Sequence, residues 1–233
     1  MASTLMQTQK NVRKSFVLRK GRITVAQRRA LKSLKNKYTI PVGKKSLDVA
    51  AAFINTERKL IGDVGFGSGE SLLSMANNYQ EANFVGIEVY PSGIGSALNQ
   101  IKQSKLNNLK LIESDVYELL ETKIVKETFD AMVFLYPDPW PKKRHQKRRL
   151  LSEDFINLLH EKMTIDGLVF CKTDWKDYYY QIKQVFAIDE RWVAEELTNL
   201  PEYLKSLPKT KYERKAKAEG RNSWELFFRK TSR

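Results

Sequence analysis

The sequence predicts an α/β fold with a seven-stranded, mostly parallel sheet and helices on both faces. Short apolar runs alternate with helical patterns at βαβ spacing. The run that begins at Leu60 leads into a glycine-rich turn, and a helical pattern starts at Glu70. The first three runs end close to an acid, namely Asp63, Glu88 and Asp115. Because parallel strands end at one edge of a sheet, we expect these acids to share a site.

The predicted elements follow one another along the whole chain. The strands are expected from residue 60 and at 84–89, 109–115, 129–136, 167–172, 192–197 and 223–229. Helices are expected after Thr24, at 47–53, from Glu70, and at 92–105, 153–163 and 178–186. The lysine-rich segment between Pro208 and Gly220 has no clear period, and its pattern is typical of a loop.

The glycine turn indicates which ligand the sheet edge binds. Its spacing, Gly65-x-Gly67-x-Gly69, differs from the G-x-G-x-x-G of dinucleotide enzymes, which disfavours a nicotinamide dehydrogenase. Asp63, two residues before Gly65, would repel a pyrophosphate but suits a ligand that carries an ammonium and a sulfonium. Glu88 lies about twenty residues further on, where such folds place a ribose-binding carboxylate. The pattern predicts S-adenosylmethionine as the cofactor, with an ordinary turn as the alternative.

Positive charge is concentrated at the N-terminus. The formal net charge is +14, and residues 1–40 contain eleven Lys and Arg and no acid. The remaining 30 cationic residues nearly balance all 27 acidic ones, so residues 41–233 are expected to form a single domain behind a basic arm, 1–40. Such an arm is compatible with a transit peptide, a solvated tail or a polyanion-binding segment. The helix expected after Thr24 favours contact with nucleic acid.

The composition also bears on location and on metals. No apolar stretch reaches the length of a membrane span, and the N-terminus lacks the apolar core of a signal peptide. Cys171 is the single cysteine, and the two histidines are His145 and His160. We therefore expect a cytoplasmic protein without a metal site.

The stretch 136–149 contains the second informative motif. The fourth strand leads to Asp138, which is held between Pro137 and Pro139 in a turn that the prolines stiffen. A rigid carboxylate next to the ring of Trp140 suits a flat, hydrogen-bonding base, although a proline-braced loop with a packed Trp140 is the plainer interpretation. Residues 142–149 then carry six Lys and Arg, which favours phosphate contacts over a solvated face or an import signal.

These motifs together resemble one family. The order Asp63-Val-Gly-Phe-Gly-Ser-Gly69, Gly86-Ile-Glu-Val89, Pro137-Asp-Pro-Trp140, Arg144-His-x-Lys-Arg-Arg149, Thr173-Asp-Trp175 and Thr210-Lys-Tyr-Glu213 is similar to that of bacterial tRNA (guanine-N7-)-methyltransferases, the TrmB family. The resemblance covers nearly the whole chain from about Val12. The first motif is common among methyltransferases, whereas the Pro-Asp-Pro-Trp and Arg-His-x-Lys-Arg-Arg pair is much more specific.

The resemblance implies a Rossmann-like class I methyltransferase fold and roles for particular residues. It implies methyl transfer from S-adenosylmethionine to N7 of the guanine at position 46, in the variable loop of tRNA. The implied roles are as follows: cofactor binding by Asp63, Gly65, Gly67, Glu88, Asp115 and Asp138; catalysis by Asp138; substrate binding by Lys142, Asp174, Thr210, Lys211, Tyr212 and Glu213; and RNA contact by Arg144, His145, Lys147, Arg148 and Arg149. Asp63 stands where many relatives have Glu, so its carboxylate reaches less far.

Two other functions remain open at this stage. The Asp138-Pro-Trp turn is similar to the Asp-Pro-Pro-aromatic turn of enzymes that methylate base amines, which favours an amino methyltransferase as the alternative. A non-catalytic RNA-binding protein with the same fold is the other alternative, and the intact acids disfavour it. The sequence decides neither the oligomeric state, monomer or homodimer, nor which tRNAs are modified, nor whether Asp138 orients the guanine or stabilises charge.

Overall fold

The computed structural model describes residues 22–231, and the described residues form seven strands and eight α-helices. The strands are β1 (Leu60–Val64), β2 (Asn83–Glu88), β3 (Leu109–Glu113), β4 (Phe129–Leu135), β5 (Met163–Thr173), β6 (Trp192–Ala194) and β7 (Trp224–Lys230). The helices are α1 (Val25–Tyr38), α2 (Glu70–Asn78), α3 (Pro91–Ser104), α4 (Val116–Thr122), α5 (Glu153–Lys162), α6 (Lys176–Ala187), α7 (Glu202–Lys205) and α8 (Lys211–Ala218). Short 3-10 helices lie at Ala50–Ala52, Lys143–Arg148 and Leu197–Asn199.

The sheet has the order β3-β2-β1-β4-β5-β7-β6. The first five strands pair in parallel, and β7 is inserted antiparallel between β5 and β6. The strand order reverses between β1 and β4, which opens a crevice at their carboxyl ends. The predicted α/β fold is therefore confirmed, and the crevice lies where the sequence predicted the ligand.

Helices cover both faces of the sheet and bury an apolar layer on each. On one face α2 and α3 bury Leu72, Ile94 and Leu98, and on the other α4, α5 and α6 bury Leu119, Phe155 and Ile182. Successive strand residues alternate between the two layers, as Phe84 and Val85 do. Complete burial of such side chains stabilises the fold by about 1.5–3 kcal/mol each. Among residues 22–231, no helix combines the length and the apolar character that a bilayer-spanning helix needs.

The first helix packs onto the body of the protein. Thr24 is its N-cap, as predicted, and forms a capping box with Gln27. Ala30 is buried, and a Cβ at Gly95 in α3 would lie 2.9 Å from the Cβ of Gln27. Only glycine at position 95 allows α1 to approach α3 so closely. The basic residues of the predicted arm before Arg22 lie outside the described residues, and the domain boundary at residue 40 remains a prediction.

Four expectations about secondary structure need correction. The fifth strand begins at Met163 rather than at residue 167, because Met163 pairs with Phe129 before a register shift. The sixth strand ends at Ala194 rather than at residue 197, since the 3-10 helix Leu197–Asn199 follows. Of the helix expected at 47–53, the structure contains only the 3-10 turn Ala50–Ala52. The segment between Pro208 and Gly220, expected to be a loop, contains α8 because Thr210 caps it.

Candidate active site

The glycine turn after β1 has the backbone conformation that its sequence requires. Gly65, Gly67 and Gly69 have φ angles of 70°, 60° and 91°, in the left-handed region that side chains disfavour. The N–H of Gly65 donates to the carbonyl oxygen of Ile87 at 2.8 Å, which ties the turn to β2. Gly69 then forms the N-cap of α2. At Gly65 and Gly67 the turn therefore presents backbone without a side chain to the crevice.

Glu88 connects the end of β2 to this turn. Its carboxylate accepts hydrogen bonds from the N–H groups of Gly67 at 3.0 Å, Val89 at 2.8 Å and Tyr90 at 3.1 Å. Burial raises the pKa of Glu88 above its ordinary value, while these three donors pull the pKa down and the Asp138 carboxylate pushes it up. Glu88 thus shapes the site in addition to facing it.

A cavity of about 360 Å³ opens at the carboxyl ends of the parallel strands. This volume lies within the range of small-molecule sites. The predicted cofactor residues Gly65, Gly67, Glu88, Asp115 and Asp138 all line it. The carboxylate of Asp115 additionally caps α4 by accepting the N–H of Glu118 at 3.0 Å. The carboxyl ends of these strands therefore converge on one cavity.

Asp63 lies beside this cavity rather than in its wall. Together with Gly65, Gly67 and Lys211 it lines a smaller, adjoining cavity of about 30 Å³. Its side chain is 1% exposed, and neither carboxylate oxygen has a hydrogen-bond partner among the described residues. Burial, followed by repulsion from Glu88, raises the pKa of Asp63 to about 7. A buried carboxylate without a donor is costly, which indicates that this position is built for a cationic ligand group.

The turn that carries Asp138 is strained on both sides. Tyr136 and Trp140 have φ angles of 55° and 43°, which bulky residues rarely adopt. Asp138, between them, is exposed and reaches the large cavity. Strain of this kind persists only where the surroundings enforce it, and it is concentrated at functional sites.

Arg149 is one group that enforces the turn. It is 3% exposed, and its guanidinium donates to the Pro139 carbonyl oxygen at 2.8 Å, to Gln181 at 2.6 Å and to Asp177 at 2.6 Å. The guanidinium also lies 5.0 Å from the centre of the Tyr178 ring. Arg149 therefore braces the Asp138 turn from within, and its guanidinium is not placed for the RNA contact that the resemblance implied.

The other cations of the segment face outward. Lys142, Arg144 and Lys147 are exposed, on or next to the 3-10 helix Lys143–Arg148. Arg148 lies 5.1 Å from the ring centre of Trp140, so Trp140 packs beneath the basic segment. Desolvation and the four neighbouring cations Arg148, Arg144, Lys142 and Lys147 lower the pKa of His145. The segment presents a compact positive surface next to the cavity.

Helix α8 forms the opposite rim. Lys211 and Tyr212 line both cavities, and the Tyr212 ring is stacked on Tyr136 with ring centres 6.2 Å apart. Glu213 forms an ion pair with Lys172 of β5 at 3.2 Å. Asp174 is held by Arg221, whose Nε donates to it at 2.9 Å. Both predicted substrate-binding carboxylates are therefore already oriented by cations of the protein.

Sequence reasoning did not find several residues at the site. Gln27 of α1 lines the large cavity and donates to the Ser96 hydroxyl of α3 at 2.9 Å. Tyr136 lines the same cavity and follows the fourth strand directly, so its position was a usable signal. The sequence also contained a signal for Lys172, because it is a charged residue inside an apolar strand. Gln27 had none.

The chain is similar to known methyltransferases in both sequence and fold. Residues 57–226 match a family described as "Putative methyltransferase". The chain is 40% identical to a tRNA (guanine-N(7)-)-methyltransferase of Nitrosococcus oceani, over 93% of this chain and 90% of that one. It is 36% identical to the tRNA (guanine-N(7)-)-methyltransferase of Bordetella pertussis, over 93% and 85% of the two chains. A solved antibiotic-related methyltransferase, 19% identical, shares the fold with a TM-score of 0.52 over 84% of this chain and 97% of that one.

Proposed function

We propose how the residues described above carry out the reaction of the family to which this chain belongs, the tRNA (guanine-N(7)-)-methyltransferases. The reaction is methyl transfer from S-adenosylmethionine to N7 of a tRNA guanine, at position 46 in the variable loop. One observation carries the proposal. A cavity with carboxylates from successive strand ends opens between a strained Asp138 turn with its basic segment and the rim formed by α8.

The residues at the cavity fit S-adenosylmethionine. Asp63 is a buried carboxylate without a hydrogen-bond donor among the described residues, and it suits the ammonium of the cofactor's amino acid end. Glu88, at the end of β2, suits the ribose hydroxyls. Gly65 and Gly67 let the backbone approach the cofactor closely, and Asp115 completes the row of acids. The cavity volume of about 360 Å³ is suitable for a molecule of this size.

The reaction makes modest demands on the protein. S-adenosylmethionine supplies an electrophilic methyl group on a sulfonium, whose sulfur keeps the bonding electrons when the methyl leaves. Guanine N7 carries a free lone pair, so no residue has to remove a proton before attack. The protein's contribution is then alignment of N7 with the methyl carbon, together with the field of the carboxylates.

Asp138 is the residue that we assign to this alignment. Its carboxylate reaches the large cavity on a turn that Arg149 and two prolines hold rigid. It accepts a hydrogen bond from the N1–H of the guanine and so fixes the base, while the N2 amino group is left to Glu213 of α8. Its negative charge also favours the purine, which becomes positive as the methyl arrives. We place orientation first, because a rigid carboxylate at a cavity rim is suited to holding a planar edge.

Two flanking elements are assigned to the tRNA. The exposed cations Lys142, Arg144 and Lys147 contact phosphates and supply affinity without sequence information. Base choice is assigned to α8, where Glu213 is a carboxylate that can accept from a donor edge. The eleven Lys and Arg of the basic arm, 1–40, are assigned to phosphates as a second element. A tRNA substrate implies a cytoplasmic location.

One experiment tests the reaction and its alternative together. Methyl transfer from radiolabelled S-adenosylmethionine to unfractionated tRNA, followed by nucleoside analysis, is expected to give 7-methylguanosine. The Asp138-Pro-Trp turn keeps an amino methyltransferase as the second candidate, and label in an N2- or N6-methylated nucleoside would support that instead. Absence of label together with absence of cofactor binding would contradict both.

A further inference from the structure

Lys172 joins the sheet to the rim of the site. It is the second-to-last residue of β5, and its side chain is 17% exposed. Its ammonium lies 2.9 Å from Oε1 of Glu225, its cross-strand neighbour on β7, and 3.2 Å from Oε2 of Glu213 in the first turn of α8. One largely buried cation therefore fastens a helix that lines both cavities to the end of a sheet strand.

The charges around Lys172 keep it protonated. Burial alone would lower its pKa, but hydrogen bonds from the ammonium to Glu225 and Glu213, and the charges nearby, outweigh burial and raise the pKa above the ordinary lysine value. Because both carboxylates contact the same nitrogen, their oxygens are at most ~6 Å apart and would repel each other without it. The direction of the Glu213 carboxylate therefore depends on the lysine.

A second contact fixes the same helix. The rings of Tyr212 and Tyr136 stack at an interplanar angle of 27°, and the hydroxyl of Tyr136 is 2.9 Å from that of Ser223. Thr210 caps α8 by accepting the N–H of Glu213 at 3.1 Å. The backbone and the aromatic face of the rim are thus set independently of the Lys172 side chain. What Lys172 determines is the direction of the Glu213 carboxylate.

We propose that Lys172 is a positioning residue for base selection: it holds Oε2 of Glu213 so that Oε1 faces the donor edge of the guanine. This inference rests on the proposed function, in which Glu213 reads the base. A flexible carboxylate would accept the N2 amino group in only part of its rotamers, whereas a carboxylate anchored at one oxygen offers the other in a fixed place. Lys172 thus contributes to selectivity without touching the substrate.

The test compares guanine with inosine at the acceptor position of a tRNA transcript. Inosine keeps N7 and N1–H but lacks the N2 amino group. We expect Lys172→Met to lower the guanine-to-inosine ratio of kcat/KM by about 10-fold, the size of a lost hydrogen bond to a charged group. Lys172→Arg, which keeps the cation, is expected to retain most of the ratio, and cofactor affinity should be unchanged in both variants.

Two further variants separate positioning from folding. Glu225→Gln keeps Lys172 on Glu213, so its ratio should match the wild type. If Lys172→Met does not fold, the double variant Lys172→Met/Glu225→Met replaces a cross-strand ion pair with an apolar pair, which is generally tolerated. This double variant should also lose discrimination. A wild type that discriminates and variants that discriminate equally well would overturn the role of Lys172. A wild type that methylates neither transcript would instead overturn the proposed function.

Discussion

The carboxylate of Glu88 accepts a hydrogen bond from the backbone N–H of Gly67 at 3.0 Å, so the acid that ends β2 holds the glycine turn that follows β1. A second carboxylate oxygen accepts from Val89 and Tyr90 at the start of the next helix. One side chain thereby fixes two walls of the large cavity. The proposed ribose-binding role and the structural role belong to the same residue.

Glu88→Gln is the first prediction. The amide keeps the size of the side chain but offers one acceptor oxygen instead of two, so at least one of the three N–H donors loses its partner. We expect cofactor affinity to fall by at least about tenfold, as for the loss of a hydrogen bond to a charged group. Isothermal titration with S-adenosylhomocysteine measures this. Glu118→Gln, an exposed residue of α4, is the matched control, and equal affinity in both variants would contradict the assignment.

The second prediction concerns stability and pH at Asp63. The folded protein holds a proton on Asp63 up to about pH 7, whereas an unfolded aspartate releases it near 3.8. The folded state therefore binds more protons between these values, and its stability falls as pH rises through this window and levels off above it. The free energy of unfolding that is lost across this pH window is on the order of 4 kcal/mol. Asp63→Asn should remove this slope and be more stable than the wild type at pH 8 in urea unfolding. Parallel curves of unfolding free energy against pH for the wild type and Asp63→Asn would contradict this role of Asp63.

Cofactor binding should reverse the ionisation of Asp63, which is the third prediction. An ammonium placed next to the carboxylate favours its charged form, so binding near pH 6 should release a proton. Titration calorimetry in buffers of different ionisation enthalpy measures that proton. The release should be absent in Asp63→Asn, and an unchanged buffer dependence in this variant would assign the proton to another group.

The strand-end acids and the glycine turn could be predicted from the sequence because their signals are local. Gly65, Gly67 and Gly69 show the required spacing directly, and Asp63 and Glu88 follow from apolar runs that end in an acid. Partners that meet only in the folded chain could not be predicted. Gln27 meets Ser96 across 69 positions, and Arg221 meets Asp174 across 47.

Arg149 marks the limit of composition as evidence. In the sequence it is one of six cations in a basic block, and nothing distinguishes it from Arg144 or Lys147. In the structure it is 3% exposed and braces the turn, because Asp177 and Gln181 of α6 fold back onto it. Which cation of a run is buried depends on partners that are distant in sequence.

The fourth prediction concerns the difference between the buried Arg149 and the exposed cations of the same segment. The double variant Arg144→Ala/Lys147→Ala should weaken tRNA binding, and the slope of log affinity against log salt should fall by about 0.7–0.9 for each phosphate that the protein no longer neutralises. The cofactor affinity and the melting temperature should not change. Lys126→Ala, an exposed cation that precedes β4 and so lies at the opposite edge of the sheet, should leave the slope unchanged.

Arg149→Met should give the opposite pattern. The loss of the buried guanidinium leaves the Pro139 carbonyl oxygen and the side-chain oxygen of Gln181 without this donor, and an acceptor left unpaired in this way typically costs about 1–3 kcal/mol. The melting temperature and the rate of methyl transfer should fall, while the salt slope of tRNA binding should stay. A reduced salt slope of tRNA binding with an unchanged melting temperature would show instead that Arg149 contacts the RNA.

The fifth prediction concerns Asp138. Asp138→Ala should keep cofactor affinity within a few-fold and lose most of the methyl transfer, because the base is no longer oriented. Single-turnover methylation of tRNA and equilibrium cofactor titration measure the two effects separately. Abolished cofactor binding would make Asp138 a cofactor ligand instead of a positioning group. Asp154→Ala, on α5, is the control for removing an acid elsewhere.

The most direct test of N7 methylation is to map the methyl group on a tRNA transcript. Transcripts with guanine or 7-deazaguanine at position 46 are incubated with the enzyme and S-adenosylmethionine, then treated by mild reduction and aniline, which cleave at 7-methylguanosine. We predict cleavage at position 46 of the guanine transcript alone, since the deaza base has no N7 lone pair. Methyl incorporation without cleavage, or equal incorporation into both transcripts, would contradict the proposed reaction.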